Sequence, residues 1–392
     1  MQRLPFFVVL SALLAVATPG SAQQSNVSTD VKGEVATYAD TDSVSVVSPS
    51  VAATIRSPLD GWSAGGSYLV DIVSAASVDI VSTASGKWHE VRHAGTLHAQ
   101  YKPSTWGASV SGGVSREPDY LSLSGGGAIT ADLAGKTVTP KLGYSYSHDT
   151  AGRSDTPFSV YSLELDRHTV TGEVLLLLDR ETVITGDVDA IFEVGNQEKP
   201  YRYVPLFAPD VVDRVPVGAS IATVNALRLP GRVAERLPTD RQRYAVSGRL
   251  AQRLADTTFI LFERLYGDSW GMRASTTDLK LVFDLSRRLW IWPEFRAHFQ
   301  NGVSFWKLAY EGSMDADGTL RVPALRTGDR ELGPLSAGSF GAGGHWNIGG
   351  GADPSNLALI LITDATITQY HQALFIDQRL SLFSALQLEA TF

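Results

Sequence analysis

The chain has 392 residues, with 33 basic against 41 acidic side chains, a net charge of -8, 36 glycines, 9% aromatics and no cysteine. The acidic balance argues against a general nucleic-acid surface, which needs clustered Lys and Arg; the missing thiols exclude disulfides and thiolate metal centres. This composition, with a mean hydropathy near zero, fits neither a disordered tail nor a helical membrane protein.

Arg3 precedes an apolar run from Leu4 to Val16, followed by the small-residue site Gly20-Ser21-Ala22. That pattern predicts an export signal over residues 1–22, cut before Gln23. A membrane anchor would need about 20 consecutive apolar residues, and Pro19 and Gly20 interrupt sooner. Later apolar stretches, such as Val174 to Leu178 and Leu357 to Ile362, are shorter still. Any insertion must therefore use strands, and residues 23–392 are expected to form one domain.

Alternation with period two, the strand signature, recurs almost everywhere. Trp62, Ala64, Gly66, Tyr68, Val70 and Ile72 oppose Ser63, Gly65, Ser67 and Asp71. Ile184, Gly186, Val188, Ala190, Phe192 and Val194 oppose Thr185, Asp187, Asp189 and Glu193. Leu289, Ile291, Phe295, Ala297 and Phe299 oppose Trp290, Trp292, Glu294, Arg296, His298 and Gln300. In the last strand Leu382, Leu386, Leu388, Ala390 and Phe392 oppose Gln387, Glu389 and Thr391. One face suits lipid and the other does not, over about ten residues or more, the length of a tilted membrane strand. The runs predict strands over 31–39, 43–57, 61–73, 87–102, 104–116, 119–133, 137–149, 158–178, 181–195, 240–254, 257–267, 270–285, 288–302, 338–350, 356–370 and 379–392.

Short turns at Ser57 to Gly61, Pro103, Ala134 to Lys136, Asp179 to Arg180, Ala255 to Asp256, Ser286 to Arg287 and Gly350 to Ser355 alternate with longer connections, chiefly 74–86, 150–157, 196–239, 303–337 and 371–378. Bacterial barrels keep short turns on the periplasmic side and long loops outside. The expected fold is therefore all-β, a transmembrane antiparallel β-barrel of about 16 strands with both termini periplasmic. A secreted sandwich would also alternate, but its strands average about five or six residues.

Tyr38-Ala39-Asp40-Thr41-Asp42 and the stretch from Val70 to Ser82 resemble an uncharacterised Gram-negative family, a domain of unknown function with a signal peptide and an outer-membrane barrel. Pro200-Tyr201-Arg202, Glu235-Arg236-Leu237-Pro238 and Tyr266-Gly267-Asp268-Ser269-Trp270-Gly271 are similar as well. The chain departs from the family at Arg264-Leu265-Tyr266, where a second aromatic is expected. The resemblance implies location and fold, and no activity.

Several groups are candidates for function. Asp187, Asp189 and Glu193 on one predicted strand face the bore across from Arg243, Arg249 and Arg253 on the next, with Glu294 and Arg296 also lining it. Such pairs stabilise neighbouring strands by about 0.2 to 1 kcal/mol each, and they set a transverse field. The connection 196–239 carries six prolines and Arg202, Arg214, Arg228, Arg232 and Arg236; it either narrows the lumen or is a solvated outer loop. Asp40, Asp42, Asp71 and Asp79 fall near outer strand ends, where convergent carboxylates hold a hard cation or merely cap turns. The aromatics Trp62, Trp88, Trp106, Tyr144, Trp270, Trp292, Trp346 and Phe392 are read as interfacial girdles.

An enzyme is not expected. His89 and His93 share a face without a third ligand, and Gly61-Trp62-Ser63-Ala64-Gly65 opens a strand where a nucleophile elbow needs a strand before it and a helix after. No cofactor is expected. The expected partners are outer-membrane lipid, the barrel-assembly machinery through the strand ending at Phe392, and a small polar solute passing a porin-like bore. The alternatives are a structural or surface-binding barrel with an occluded lumen, and an outer-membrane hydrolase.

Overall fold

A computed structural model describes residues 26–75, 88–231, 233–315, 318–348 and 356–392. The predicted signal, Asp79, Arg232 and the turn from Gly350 to Ser355 lie outside these residues. Sixteen long strands form a closed barrel: β1 (Ser28–Asp40), β2 (Val44–Ser57), β3 (Trp62–Ala75), β4 (Trp88–Tyr101), β5 (Trp106–Glu117), β6 (Tyr120–Ala131), β7 (Val138–Ala151), β8 (Leu163–Leu177), β9 (Thr182–Gly195), β10 (Asp240–Leu254), β11 (Thr257–Asp268), β12 (Arg273–Ser286), β13 (Leu289–Gln300), β14 (Leu335–Asn347), β15 (Asn356–Tyr370) and β16 (Gln378–Thr391). Each pairs antiparallel with its neighbours in chain order, and β16 returns to β1 in the register Val31 with Ala390 and Val35 with Leu386. Phe392 completes the seam, its N–H donating to the Thr29 carbonyl at 2.9 Å.

The strand parity read from the sequence sorts water from lipid. Val47, Val51 and Ile55 on β2, Val188 on β9, Phe295 and Phe299 on β13 and Leu361 on β15 are exposed on the outer wall. A face of this kind costs free energy in water and none in hydrocarbon, and closure leaves no unpaired strand edge there. Among the described residues no helix is long and apolar enough to cross a membrane.

Short turns hold one end. In the β2–β3 turn Gly61 sits at φ +73°, and a Cβ there would lie 2.3 Å from the carbonyl oxygen of Lys102. That oxygen belongs to the neighbouring turn, whose Lys102 N–H donates to the Gly61 carbonyl at 2.6 Å. Only glycine accepts both the left-handed backbone and the close approach. Trp62, Tyr101, Trp106, Trp346 and Phe392 are exposed around this same end, as an interfacial girdle requires. Of the aromatics read as girdle, Trp270 and Trp292 are placed otherwise, and Tyr144 lies at the middle of β7 opposite Gly127. Trp270 is buried in a loop cluster with Leu237, Met272 and Val303. Trp292 points inward, because its parity on β13 is that of Glu294 and Arg296 and because Gly343 opposite leaves room for the ring.

At the other end the long connections fold on one another. Tyr203–Val204 pairs with Val233–Ala234, and Leu206–Phe207 pairs in parallel with Tyr310–Glu311 from the β13–β14 connection. A helix α1 (Ile221–Leu227) starts at Ser220, whose Oγ accepts the Thr223 N–H at 3.1 Å, a regular N-cap. Phe207, Val215, Ala219, Val224 and Ala309 form a buried cluster against Leu374 and Phe375 of the β15–β16 loop. The 196–239 connection is thus more than a solvated loop: it is half of a small folded cap with a hydrophobic core, and its first residues, Asn196 to Lys199 and Arg202, share a cavity with inner-wall Arg167, Glu193 and Arg243.

Candidate functional site

The bore and its capped mouth form the candidate site. Below the cap, inward side chains of β10–β16 line a cavity of about 890 Å³ that includes Arg249, Asp278, Lys280, Glu294, Arg296 and His298. Glu331 from the β13–β14 connection and Arg379 from β16 complete it toward the mouth.

Parity places Asp187, Asp189, Glu193, Arg243, Arg249 and Arg253 on the inner wall, and the register then decides who meets whom. Glu193 is buried and accepts from Arg167 Nε at 2.9 Å and Arg243 Nη1 at 3.2 Å. Asp189 lies opposite Ala245 and Asp187 opposite Ser247, both too small to fill the space. Arg264 of β11 therefore reaches across β10 to Asp189 at 3.0 Å. Arg253 likewise skips a strand to Asp284 at 2.6 Å. Glu294 pairs with Lys280 at 2.6 Å, and Arg296 approaches Asp278 at 3.5 Å. Of the anticipated contacts between the β9 acids and the β10 arginines, the structure makes the one joining Glu193 to Arg243.

The described acids near the N-terminus go to separate partners. Asp40 Oδ1 accepts the backbone N–H groups of Asp42 and Val44, each at 2.9 Å, and so caps the β1–β2 turn. Asp42 is buried beneath Arg330. Asp71 binds Arg92 and accepts from Ser48 Oγ at 2.5 Å. A different trio, Glu90, Glu117 and Asp119, brings one carboxylate oxygen each within 4.8 Å of the others. Its signal was present in the sequence as acids near one end of adjacent strands.

Among the loop arginines, Arg202 meets Asp329 at 2.5 Å, Arg228 donates to Asn225 Oδ1 at 2.8 Å, and Arg236 lies 3.8 Å from Glu198. The cap reaches the rim on both sides: Tyr201 donates to Asp119 in the β5–β6 turn, and the Gly218 and Phe375 N–H groups bond the carbonyls of Ala373 and Ala219. Inside the cap Glu235 is fully buried. Burial pushes its carboxyl above the usual range, opposed by the Arg202 guanidinium and by hydrogen bonds from Thr327 Oγ1 and the Lys199 N–H.

Three of the described histidines are held as follows. His148 lies 2.9 Å from Asp166 on the outer wall beside Tyr146, His93 meets Tyr68 on the outer wall at 2.6 Å, and inward His298 is held by Thr276 and Gln300.

The chain is similar to the ferric enterobactin receptor PfeA of Pseudomonas aeruginosa, at 12% identity over 86% of this chain with a TM-score of 0.41. It is similar also to OccK5 (OpdH) and OccK7 (OpdD) of the same organism, each at 8% identity over 93% of this chain, with TM-scores of 0.43 and 0.44. It spans about half of the receptor's length, 54%, and 98% of each of the other two. No curated protein matches it. A family model, described as protein of unknown function (DUF3570), matches residues 176–389. That match takes in more than half of the chain, from the end of β8 through β16, and the protein belongs to this family.

Proposed function

We propose that the protein is an outer-membrane channel that passes small polar solutes through a bore guarded by its folded loops. The observation that carries this reading is the open cavity of about 890 Å³ below the cap, whose lining includes Arg249, Asp278, Lys280, Glu294 and Arg296. Closed barrels of about this strand number leave an aqueous lumen unless something fills it. Most charges of β9–β13 are paired at contact distance, which leaves Arg249 to act on a passing polar solute.

In this reading the signal is removed before Gln23, and intact mass of the mature protein tests the cut. The barrel-assembly machinery reads the last strand, so Phe392→Ala lowers the yield of assembled barrel. The role is transport and not catalysis, which the outward position of the His148 and Asp166 pair supports.

Conductance of the purified protein in a planar bilayer is the test of the channel, and a tight seal under all voltages and salts overturns it. A second reading, a surface-binding barrel with an occluded lumen, is favoured by the buried cap core around Phe207 and Val224. Deleting residues 203–234 separates the two. A guarded channel gains current, whereas unchanged current contradicts the cap as its restriction.

A further inference from the structure

We propose that the cap carries a binding site of its own, for a small flat-ring carboxylate, in the cavity between segments 199–205, 306–310, 327–330 and 373–375. The cavity holds about 250 Å³. Drug-sized ligands need roughly 300 to 1,000 Å³, so this one suits a single substituted ring. Its walls are aromatic: Tyr201, Tyr203, Trp306, Tyr310 and Phe375 all line it. Rings of this kind offer stacked or edge contacts to a planar guest, each worth about 0.5 to 1.5 kcal/mol beyond the area buried.

The charge around those walls has one sign. Lys199, Arg202, Lys307 and Arg330 line the cavity, and no acid does. Two of the four are already engaged, Arg202 by Asp329 at 2.5 Å and Arg330 by Asp42 at 2.6 Å. Lys199 and Lys307 are exposed, and their ammonium groups meet no carboxylate among the described residues. An anion with an apolar ring satisfies both halves, its ring against the aromatic walls and its charge between ammonium groups that are still wet. A cation is repelled, and a neutral ring leaves the lysines without a partner. The segments are held in place by the Leu206–Phe207 ladder to Tyr310–Glu311 and by the Thr327 N–H donating to the Tyr310 hydroxyl at 3.1 Å, so the site is pre-formed.

The site goes beyond the channel reading and does not depend on it, because binding is measured whether or not the barrel conducts. Isothermal titration of the full-length protein in non-ionic detergent uses benzoate, its neutral counterpart benzamide, and acetate. Benzoate is expected to bind saturably at one site, with benzamide and acetate at least about tenfold weaker, a difference of about 1.4 kcal/mol. In the double variant Lys199→Gln, Lys307→Gln, with circular dichroism unchanged, benzoate falls to the level of benzamide. Absence of saturable benzoate heat overturns the site, as does equal affinity for benzoate and benzamide, or undiminished benzoate binding in the double variant. Should that variant fail to fold, the comparison of benzoate with benzamide on the unaltered protein decides alone.

Discussion

Nη2 of Arg330 lies 2.6 Å from Oδ2 of Asp42, tying the connection that leaves β13 to the turn between β1 and β2 on the other side of the barrel seam. The pair is largely dry, with side-chain exposures of 11% and 1%, and the guanidinium also stands 5.3 Å from the Tyr370 ring. Next to it Glu331 accepts from the Tyr370 hydroxyl at 2.8 Å and from Arg379 at 3.2 Å. Residues 329–331 therefore strap the cap to three parts of the rim. Removing one partner of a buried pair leaves the other charge uncompensated, at roughly 3 to 5 kcal/mol. Asp42→Ala is expected to speed amide exchange across 327–333 by about two orders of magnitude or more, with the barrel strands unchanged. Mass-spectrometric hydrogen exchange reads this directly; unaltered protection at 327–333 contradicts the strap.

Arg249 differs from its neighbours on the inner wall. Arg243 and Arg253 are each held by a carboxylate, and so is Arg264. Arg249 lines the large cavity and forms no ion pair among the described residues. An unneutralised charge acts on passing ions more strongly than one cancelled at contact distance. Arg249→Glu is expected to shift the reversal potential in a salt gradient toward cation selectivity severalfold, and Arg253→Gln far less. Equal shifts from both would remove Arg249 from the selective region.

The barrel was legible because each outward position must satisfy lipid and each inward one water, so chemistry repeats with the pleat. Where hydrogen bonding and not burial sets a boundary, the alternation overran. The strand predicted from 158 begins at Leu163, because the Val160 and Tyr161 N–H groups both turn back to the Pro157 carbonyl. The strand predicted over 338–350 runs Leu335–Asn347, as glycines read equally well as strand or turn. The cap was not legible: Phe207, Ala309 and Leu374 meet from three connections, and no local pattern encodes contacts so far apart in the chain. Partner choice inside the bore failed for a related reason. Parity gives the face of Asp189 but not the small Ala245 opposite, which lets Arg264 reach over.

Trp292 and Gly343 are paired in register across β13 and β14, and a Cβ at Gly343 would fall 2.2 Å from the indole carbons. The indole fills the space a side chain would take, close to the short-turn end of the bore. Gly343→Ala forces the ring out of place, and overpacking of this type costs about 1 to 3 kcal/mol. Urea unfolding in detergent micelles should show a lower midpoint together with a shifted tryptophan emission in the folded state. A variant with the parent midpoint would mean that the ring moves aside freely.

Glu235 gives the cap a pH dependence whose sign follows from its surroundings. Burial raises its folded-state pKa, while Arg202 and the Thr327 and Lys199 donors only partly oppose this. A carboxyl whose folded pKa exceeds its unfolded value contributes stability that is fully present below the unfolded pKa and is lost as pH rises through the folded one. The cap is therefore expected to be tightest in mild acid. Exchange protection of 199–205 and 233–236, corrected for intrinsic rates, should fall as the pH is raised from mild acid to mild base. Glu235→Gln keeps an oxygen to accept from Thr327 and removes the titrating proton, so its protection should be flat across that window. A wild-type cap equally protected at both ends would show that Glu235 is ionised throughout, with Arg202 outweighing burial.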